Sequence, residues 1–170
     1  MISFEQAYSR ILTDTKQLLD VENLPLTEVL GRVIAEDQCS AIDVPGYNNS
    51  AMDGYAVRCG EVDSGRVLTV SQRITAGDVA APLLPGTDAR ICTGAMIPDG
   101  ADGIVLQEDV TVNGDGSIGF SEPPKLAQHI RKTGQDIRKN AVIIRQGERL
   151  TPAKIGLLAS VGIARVDCYR

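Results

Sequence analysis

The chain has 170 residues, 43% of them hydrophobic and 23% charged, with a formal net charge of -5 at pH 7. This composition is typical of a globular protein long enough for one ordinary domain or two small ones, and its acidity argues against a nucleic-acid-binding surface, which needs a basic stripe. The sequence has neither a membrane-spanning apolar run nor a signal peptide at its start, so we expect a cytoplasmic protein without a membrane partner.

The chain begins with the pattern of an amphipathic helix. Ser3 stands at the N-cap position and Gln6 follows three residues later, which is the spacing of a capping box. The apolar residues of this segment share one helix face: Phe4, Ala7, Tyr8, Ile11, Leu12, Leu18 and Leu19. A short helical turn is predicted over residues 26–30, ended by Gly31, and residues 32–37 are predicted to form a strand.

The middle of the chain, from residue 46 to about 140, has a different texture. Its short apolar runs are separated by Gly, Pro, Asp and Asn, which is typical of a β-rich domain with many turns. The runs cover residues 55–57, 67–70, 89–92 and 103–107. The sequence Asn-Gly-Asp-Gly at residues 113–116 predicts a hairpin between strands at 110–112 and 117–120.

The last thirty residues again mix helix and strand signals. Residues 141–144 are predicted to form a strand, and a helix is predicted to follow over residues 153–160. Thr151 is its predicted N-cap, and Pro152 follows in the first turn. Gly162 is placed to end this helix, before a last strand at residues 164–168.

The similar texture of the two chain ends predicts a nested organisation. We expect a mixed α and β, mainly β, fold. A small discontinuous α/β lobe would be built from residues 1–45 and 141–170. A β-rich domain, residues 46–140, would be inserted into it.

The cysteines and the histidine limit the metal and redox chemistry of the chain. The four cysteines lie far apart and form no CxxC pair, a spacing that fits neither a zinc site nor a disulfide framework. We therefore predict reduced cysteines at all four positions: Cys39, Cys59, Cys92 and Cys168. The chain has a single histidine, His129, which argues against a histidine-based metal site or catalytic triad.

The first segment with candidate chemistry contains Asp53 and Gly54. An Asp-Gly pair between apolar residues fits a type I′ hairpin turn with a solvated aspartate. A functional alternative stays open, because Ser50, Asp53 and the amides of a glycine-containing bend lie within a few residues. Such a bend can direct several N–H groups at an anion while the carboxylate binds a cation.

Two further segments carry polar groups next to glycine. At residues 90–98 a strand runs into Thr93-Gly94, which would expose a hydroxyl and free amides at the strand end; an ordinary loop is the alternative. At residues 130–137 Arg131 and Asp136 flank a glycine turn. Arginine is suited to clamping phosphates and other oxyanions, and a solvated charged turn is the alternative.

In chain order these segments resemble the molybdopterin molybdenumtransferase family, which includes bacterial MoeA and the E domain of gephyrin. The family pattern Leu-Gly-Arg, then Pro-Gly and Ser-Ala-Met-Asp-Gly-Tyr-Ala-Val, is matched at residues 30–32 and 45–57. Later matches keep the family order: Thr93-Gly94-Ala95 with Pro98, residues 105–108, Ile130-Arg131 with Gly134 and Asp136-Ile137, Leu150-Thr151, and residues 158–163. Asn48 and Gln135 depart from it, standing where aspartate and glutamate are common.

The resemblance implies an enzyme that inserts molybdate into adenylylated molybdopterin and releases AMP, with Mg²⁺ or a similar divalent cation. By position, Asp53 and Asp136 would be the catalytic carboxylates and the metal ligands. Ser50, Thr93 and Arg131 would bind substrate. These residue types suit that chemistry, because oxyanions need N–H and guanidinium donors while carboxylates hold a cation beside a leaving phosphate.

The resemblance also implies partners. Family members are homodimers that receive their substrate from a molybdopterin adenylyltransferase. Their molybdopterin-binding α/β domain would follow the segment matched here, so we expect this chain to be a folded N-terminal region that is inactive alone. Two alternatives stay open: a gephyrin-like scaffold or binding module without catalysis, and a stand-alone regulator.

Overall fold

The computed structural model describes residues 2–14, 20–63 and 65–170. In these ranges the chain forms two α-helices, α1 (Phe4–Asp14) and α2 (Pro152–Ser160). The strands are β1 (Val21–Pro25), β2 (Val33–Ile34), β3 (Gln38–Cys39), β4 (Asn49–Ser50), β5 (Gly54–Val57), β6 (Val67–Ile74), β7 (Thr87–Ile91), β8 (Gly103–Leu106), β9 (Val110–Val112), β10 (Ile118–Phe120), β11 (Ile130–Arg131), β12 (Val142–Ile144) and β13 (Arg165–Tyr169). The expectation of a mainly β fold is confirmed.

The chain divides into two compact units. One contains Met1–Ala41 and Val142–Arg170, and the other contains Ile42–Ala141. The sequence-based boundaries placed the inserted segment at residues 46–140. The structural boundaries therefore begin four residues earlier and end one residue later.

The unit formed by the chain ends contains a three-stranded antiparallel sheet in the order β1-β13-β2, and β3 pairs separately with β12. Its core consists of Val29, Ile34, Ile144, Leu150, Leu158, Val166 and Cys168. The N-cap of α2 is confirmed, since the Thr151 side chain accepts a hydrogen bond from the Lys154 N–H. Strand β2 covers two residues where six were predicted, because its backbone pairs with β13 only at Val33 and Ile34.

Helix α1 begins as predicted with a capping box. The Ser3 N–H donates to Gln6 Oε1 at 3.0 Å, and the Gln6 N–H donates to Ser3 Oγ at 3.2 Å. Its apolar face is largely exposed, with Phe4 79% and Tyr8 56% accessible; Leu18 and Leu19, predicted for the same face, lie outside the described residues. None of the helices in the described ranges is both long and apolar enough to cross a membrane.

The inserted unit is built on a six-stranded sheet in the order β8-β5-β7-β6-β10-β9, in which only β6 and β7 run parallel. Successive side chains of a strand point to opposite faces, so each face carries its own cluster. The first cluster contains Tyr55, Val57, Val62, Leu68, Val105, Ile118 and Phe120. The second contains Ala56, Ile74, Leu83, Ala89, Ile91, Ala95 and Ile104. The hairpin predicted at residues 113–116 is confirmed and joins β9 to β10.

Candidate functional site

Strand β4 belongs to the first candidate segment and lies between the other two, residues 90–98 and 130–137. On one side it pairs with β11, with Asn49 opposite Arg131 and Ser50 opposite Ile130. On the other side the Ser50 N–H donates to the Ala95 carbonyl at 3.0 Å, and the Ser50 carbonyl accepts from the Gly94 N–H at 2.8 Å. The fold therefore gathers in one place the three segments that the sequence marked out far apart in the chain.

Asp53 immediately precedes β5, and Gly54 is the first residue of that strand rather than part of a hairpin turn. The type I′ interpretation of this pair is wrong. Gly54 is paired with Ile91 of β7 and with Leu106 of β8. A Cβ atom at Gly54 would lie 2.0 Å from the Val105 carbonyl oxygen. Glycine is required here because the backbone of β8 approaches too closely for any side chain.

This close approach gives a stability prediction. We expect Gly54→Ala to lower the free energy of unfolding by about 2 kcal/mol, because the new methyl group must displace main-chain atoms of β8. The measurement is urea unfolding of both proteins. The matched control is Gly114→Ala, whose Cβ would meet nothing within 4 Å. Equal unfolding midpoints for the two variants would contradict the steric argument.

The Asp53 carboxylate is bound by Thr93. Asp53 Oδ1 accepts the Thr93 N–H at 2.6 Å and the Thr93 hydroxyl at 2.8 Å. These two hydrogen bonds, and more weakly the Arg90 charge, hold the pKa of Asp53 below its usual range. Asp53 Oδ2 accepts no hydrogen bond from the described residues, and the side chain is exposed. The arrangement is a carboxylate whose ionised form is favoured, with one oxygen fixed by Thr93 and the other available.

The hydroxyl of Ser50 faces inward. Ser50 is fully buried; its Oγ donates to the Met52 carbonyl at 2.5 Å and accepts the Met52 N–H at 3.3 Å. These bonds shape the bend that leads from β4 to Asp53. The structure thus places Ser50 as a support of the loop, while its predicted contact with substrate stays a prediction.

The turn after β11 is anchored to the segment before β4. The Gly134 N–H donates to the Pro45 carbonyl, and the Asp136 N–H donates to the Val44 carbonyl, both at 2.9 Å. Arg131 and Asp136 are exposed. Among the described residues, neither side chain forms a hydrogen bond or an ion pair with Asp53 or Thr93. Their predicted roles in catalysis and substrate binding therefore stay predictions.

One residue of the site was missed by the sequence analysis. The Arg90 guanidinium lies over the Tyr55 ring, 5.3 Å from its centre, and donates to the Gly54 and Ile91 carbonyls at 2.8 and 2.9 Å. It also donates to the Gln107 side chain. Alternation along β7 places the Arg90 side chain on the sheet face opposite to that of Ala89. Its partners, however, come from β5 and from the residue that follows β8, and patterns of neighbouring residues cannot predict such long-range contacts.

These residues supply only part of the ligands that a divalent cation needs. No group of three or more Asp, Glu, His or Cys side chains in the described ranges is arranged to hold a metal ion. Magnesium is usually bound by one or two carboxylates together with substrate phosphates and water. Asp53 offers one oxygen that accepts no hydrogen bond from the described residues, and one oxygen falls short of a complete site.

Comparison with known proteins places these features in one family. The chain matches the family described as the MoeA N-terminal region (domain I and II) over residues 2–162. It is 46% identical to the molybdopterin molybdenumtransferase of Haemophilus influenzae, covering all of this chain and 42% of that protein. The Synechococcus elongatus molybdopterin molybdenumtransferase is 37% identical, with 99% of this chain and 44% of that protein covered.

The fold leads to the same family. A crystal structure of a molybdopterin biosynthesis MoeA protein from Pyrococcus horikoshii superposes with a TM-score of 0.87 at 34% identity, covering the whole chain and 44% of that protein. The chain thus spans less than half the length of these relatives. The sequence resemblance is confirmed, and the chain belongs to the family of the MoeA N-terminal region.

Proposed function

We propose that this chain contributes to an enzyme that inserts molybdate into adenylylated molybdopterin and releases AMP. The observation that carries the proposal is the Asp53–Thr93 pair, whose aspartate lies within the most family-specific segment of the sequence, residues 50–57. The names of the relatives support the same chemistry, because the Haemophilus and Synechococcus proteins are both molybdopterin molybdenumtransferases.

The residues of the site suit this reaction. Asp53 supplies a fixed negative charge, and Thr93 orients it through two donors on one carboxylate oxygen. Arg131 is exposed and supplies guanidinium donors of the kind that bind molybdate or phosphate oxygens. Ser50 supports the bend between β4 and Asp53. Asp136, at the anchored turn, supplies the second carboxylate.

Magnesium or a similar divalent cation is part of the proposal. Asp53 Oδ2 and the Asp136 carboxylate would be its protein ligands, with phosphate oxygens of adenylylated molybdopterin completing the coordination. Bound there, the cation would neutralise charge on the leaving phosphate. The contribution of the chain itself is to hold the Asp53 carboxylate against Thr93 and to anchor the main chain of Asp136 to Val44.

We also propose a homodimer in the cytoplasm, supplied with substrate by a molybdopterin adenylyltransferase. The exposed apolar face of α1, with Phe4, Tyr8, Ile11 and Leu12 each more than half accessible, supports association. All four cysteines are free, which supports a reducing compartment.

A hybrid protein tests the proposed function. This chain would replace the matching 42% of the Haemophilus influenzae relative, and the hybrid would be expressed in bacteria lacking their own molybdopterin molybdenumtransferase. We expect it to restore the activity of a molybdenum-dependent enzyme in cell extracts. The matched control is the C-terminal part of the relative without this chain.

A soluble, dimeric hybrid without activity would overturn the enzymatic proposal and favour the scaffold alternative. Hybrid abundance and oligomeric state, measured by gel filtration, therefore accompany the activity measurement. The scaffold alternative predicts a well-folded hybrid whose activity does not exceed that of the control.

A further inference from the structure

The Arg90 side chain bridges main-chain groups next to both members of the Asp53–Thr93 pair. Arg90 is half-buried, and its Nη1 group donates to two main-chain carbonyls, those of Gly54 and Ile91. Gly54 directly follows Asp53, and Ile91 lies two residues before Thr93. One guanidinium nitrogen thus joins the two chain segments that carry the Asp53–Thr93 pair.

Gln107 closes this arrangement into a ring. Its side-chain Oε1 accepts a hydrogen bond from Arg90 Nη2, and its main-chain N–H donates to the Asp53 carbonyl at 3.3 Å. Its Nε2 group donates to the Glu108 carboxylate at 3.0 Å. Asp53 is therefore connected to Arg90 along two routes, through Gly54 on one side and through Gln107 on the other.

The geometry distinguishes bracing from substrate binding. A guanidinium has five N–H donors, and both hydrogens of Arg90 Nη1 are already committed to main-chain oxygens. The guanidinium also lies over the buried Tyr55 ring, and this cation–π contact adds to the groups that hold it in place. An arginine that binds substrate needs its paired donors free, and the guanidinium of the exposed Arg131 donates to none of the described residues.

We propose that Arg90 is a positioning residue, which holds the Asp53 carboxylate against Thr93 by tying together the ends of β5 and β7. The inference deepens the proposed function, since it concerns the same site. It makes no claim about substrate, so it can be tested on this chain without any turnover. A second arginine in the same unit provides the comparison that the test needs.

That comparison is Arg58. It also joins distant main-chain carbonyls, donating to Gly100 at 3.1 Å and to Leu83 at 3.0 Å, and it forms an ion pair with Glu61 at 2.7 Å. None of its partners belongs to the ring around Asp53. Arg58→Gln therefore removes a similar set of bonds from the same unit without removing the proposed brace.

The experiment follows the hydrogen exchange of the Thr93 amide proton by NMR at a fixed neutral pH. This proton is donated to Asp53 Oδ1, so its exchange rate reports how firmly the hydrogen bond is held. We expect Arg90→Gln to speed this exchange about tenfold. Arg58→Gln should leave the exchange rate at the wild-type value.

Arg90→Lys distinguishes a bracing role of the Arg90 hydrogen bonds from an effect of its positive charge alone. Lysine keeps the positive charge but cannot reproduce the planar fork, so we expect the faster Thr93 exchange to persist. Wild-type exchange in Arg90→Lys would overturn the brace and leave a purely electrostatic effect. An unchanged Thr93 amide in Arg90→Gln, with lower stability like that of Arg58→Gln, would also overturn it.

Gln107→Ala covers the case in which Arg90→Gln does not fold. Gln107 is exposed, so its truncation should preserve the fold while removing one side of the ring. We expect the same direction of change at the Thr93 amide, with a smaller size. A wild-type Thr93 amide in this variant would contradict the proposal. Because these readouts need no substrate, an inactive hybrid with a normal brace would overturn the proposed function alone.

Discussion

Asp53→Asn in the hybrid enzyme is expected to lower molybdate insertion at least about a hundredfold, which is the scale of losing an electrostatic group from a catalytic site. The two Thr93 donors favour the ionised carboxylate and hold the pKa of Asp53 below its usual range. Asparagine keeps the shape and can still accept from Thr93 through its carbonyl oxygen. It removes the charge of the oxygen that faces away from Thr93, and the measurement is the rate of molybdenum cofactor formation in purified hybrid protein.

The chain contains a matched control for this substitution. Asp78 Oδ2 accepts the Thr75 N–H at 2.8 Å and the Thr75 hydroxyl at 2.6 Å, and these bonds likewise lower the pKa of Asp78. Asp78→Asn therefore removes a carboxylate from an equivalent Asp–Thr pair in an exposed turn outside the site. We expect this variant to keep the insertion rate of the unmodified hybrid.

The two variants together separate charge at the site from loss of a structural motif. Asp136→Ala extends the test to the second proposed carboxylate, where a similar loss of activity with an intact fold is expected. Insertion rates that stay normal in both Asp53→Asn and Asp136→Ala would contradict the catalytic role proposed for these two carboxylates. Circular dichroism spectra identical to the parent exclude unfolding as the cause of any loss.

Local signals in the sequence were sufficient for much of the fold. The capping box at Ser3, the Thr151-Pro152 helix start and the hairpin at residues 113–116 were all found, because each depends on neighbours within a few residues. Strand β1 was missed, since its five residues carry no clear alternation. It forms because Val21–Pro25 pairs along its whole length with β13, about 145 residues away.

The site shows the same division between local and long-range information. Asp53 and Thr93 were both selected from the sequence, but only the fold shows that they share two hydrogen bonds. The role of Gly54 could not be predicted, because it depends on the approach of the Val105 carbonyl from another strand. Arg90 was missed for the same reason, as its partners Tyr55 and Gln107 are distant in sequence.

A further residue that the sequence could not single out is Asp88 in β7. An aspartate just before an apolar run looks like part of a turn, yet Asp88 is completely buried. Both of its carboxylate oxygens lack a hydrogen-bond partner among the described residues. It is paired with Val70 and lies on the sheet face of Tyr55, opposite to that of Ala89. This desolvation raises the pKa of Asp88 to about 6.

Asp88→Asn is therefore expected to stabilise the chain at pH 8 by about 3 kcal/mol, from 1.36 kcal/mol per unit of the rise from 3.8 to about 6. The sign follows from the raised pKa. Below pH 3.8 the carboxyl group is neutral in both states, so folding buries no charge at Asp88 and the pH-dependent cost is absent. As the pH rises to about 6 the unfolded chain ionises first, and folding stability falls until the full cost is reached.

The measurement is urea unfolding of the wild type and Asp88→Asn at pH 4 and pH 8, with the difference between the two proteins as the observable. Other carboxylates cancel in this difference. The variant should be nearly equal to the wild type at pH 4 and clearly more stable at pH 8. Both proteins leave a buried polar group unpaired, so only the charge distinguishes them.

A carboxylate with the opposite shift provides the control. Asp115 Oδ1 accepts the Ser117 N–H at 3.0 Å and the Ser117 hydroxyl at 2.5 Å, and these bonds lower the pKa of Asp115. Asp115→Asn should therefore lose stability at pH 8 and recover it as the pH falls through the titration of Asp115. If Asp88→Asn followed this same direction, Asp88 would have to be paired in the folded chain. A stability gain for Asp88→Asn that grows with pH would instead mean that the central sheet tolerates an uncompensated charge at neutral pH.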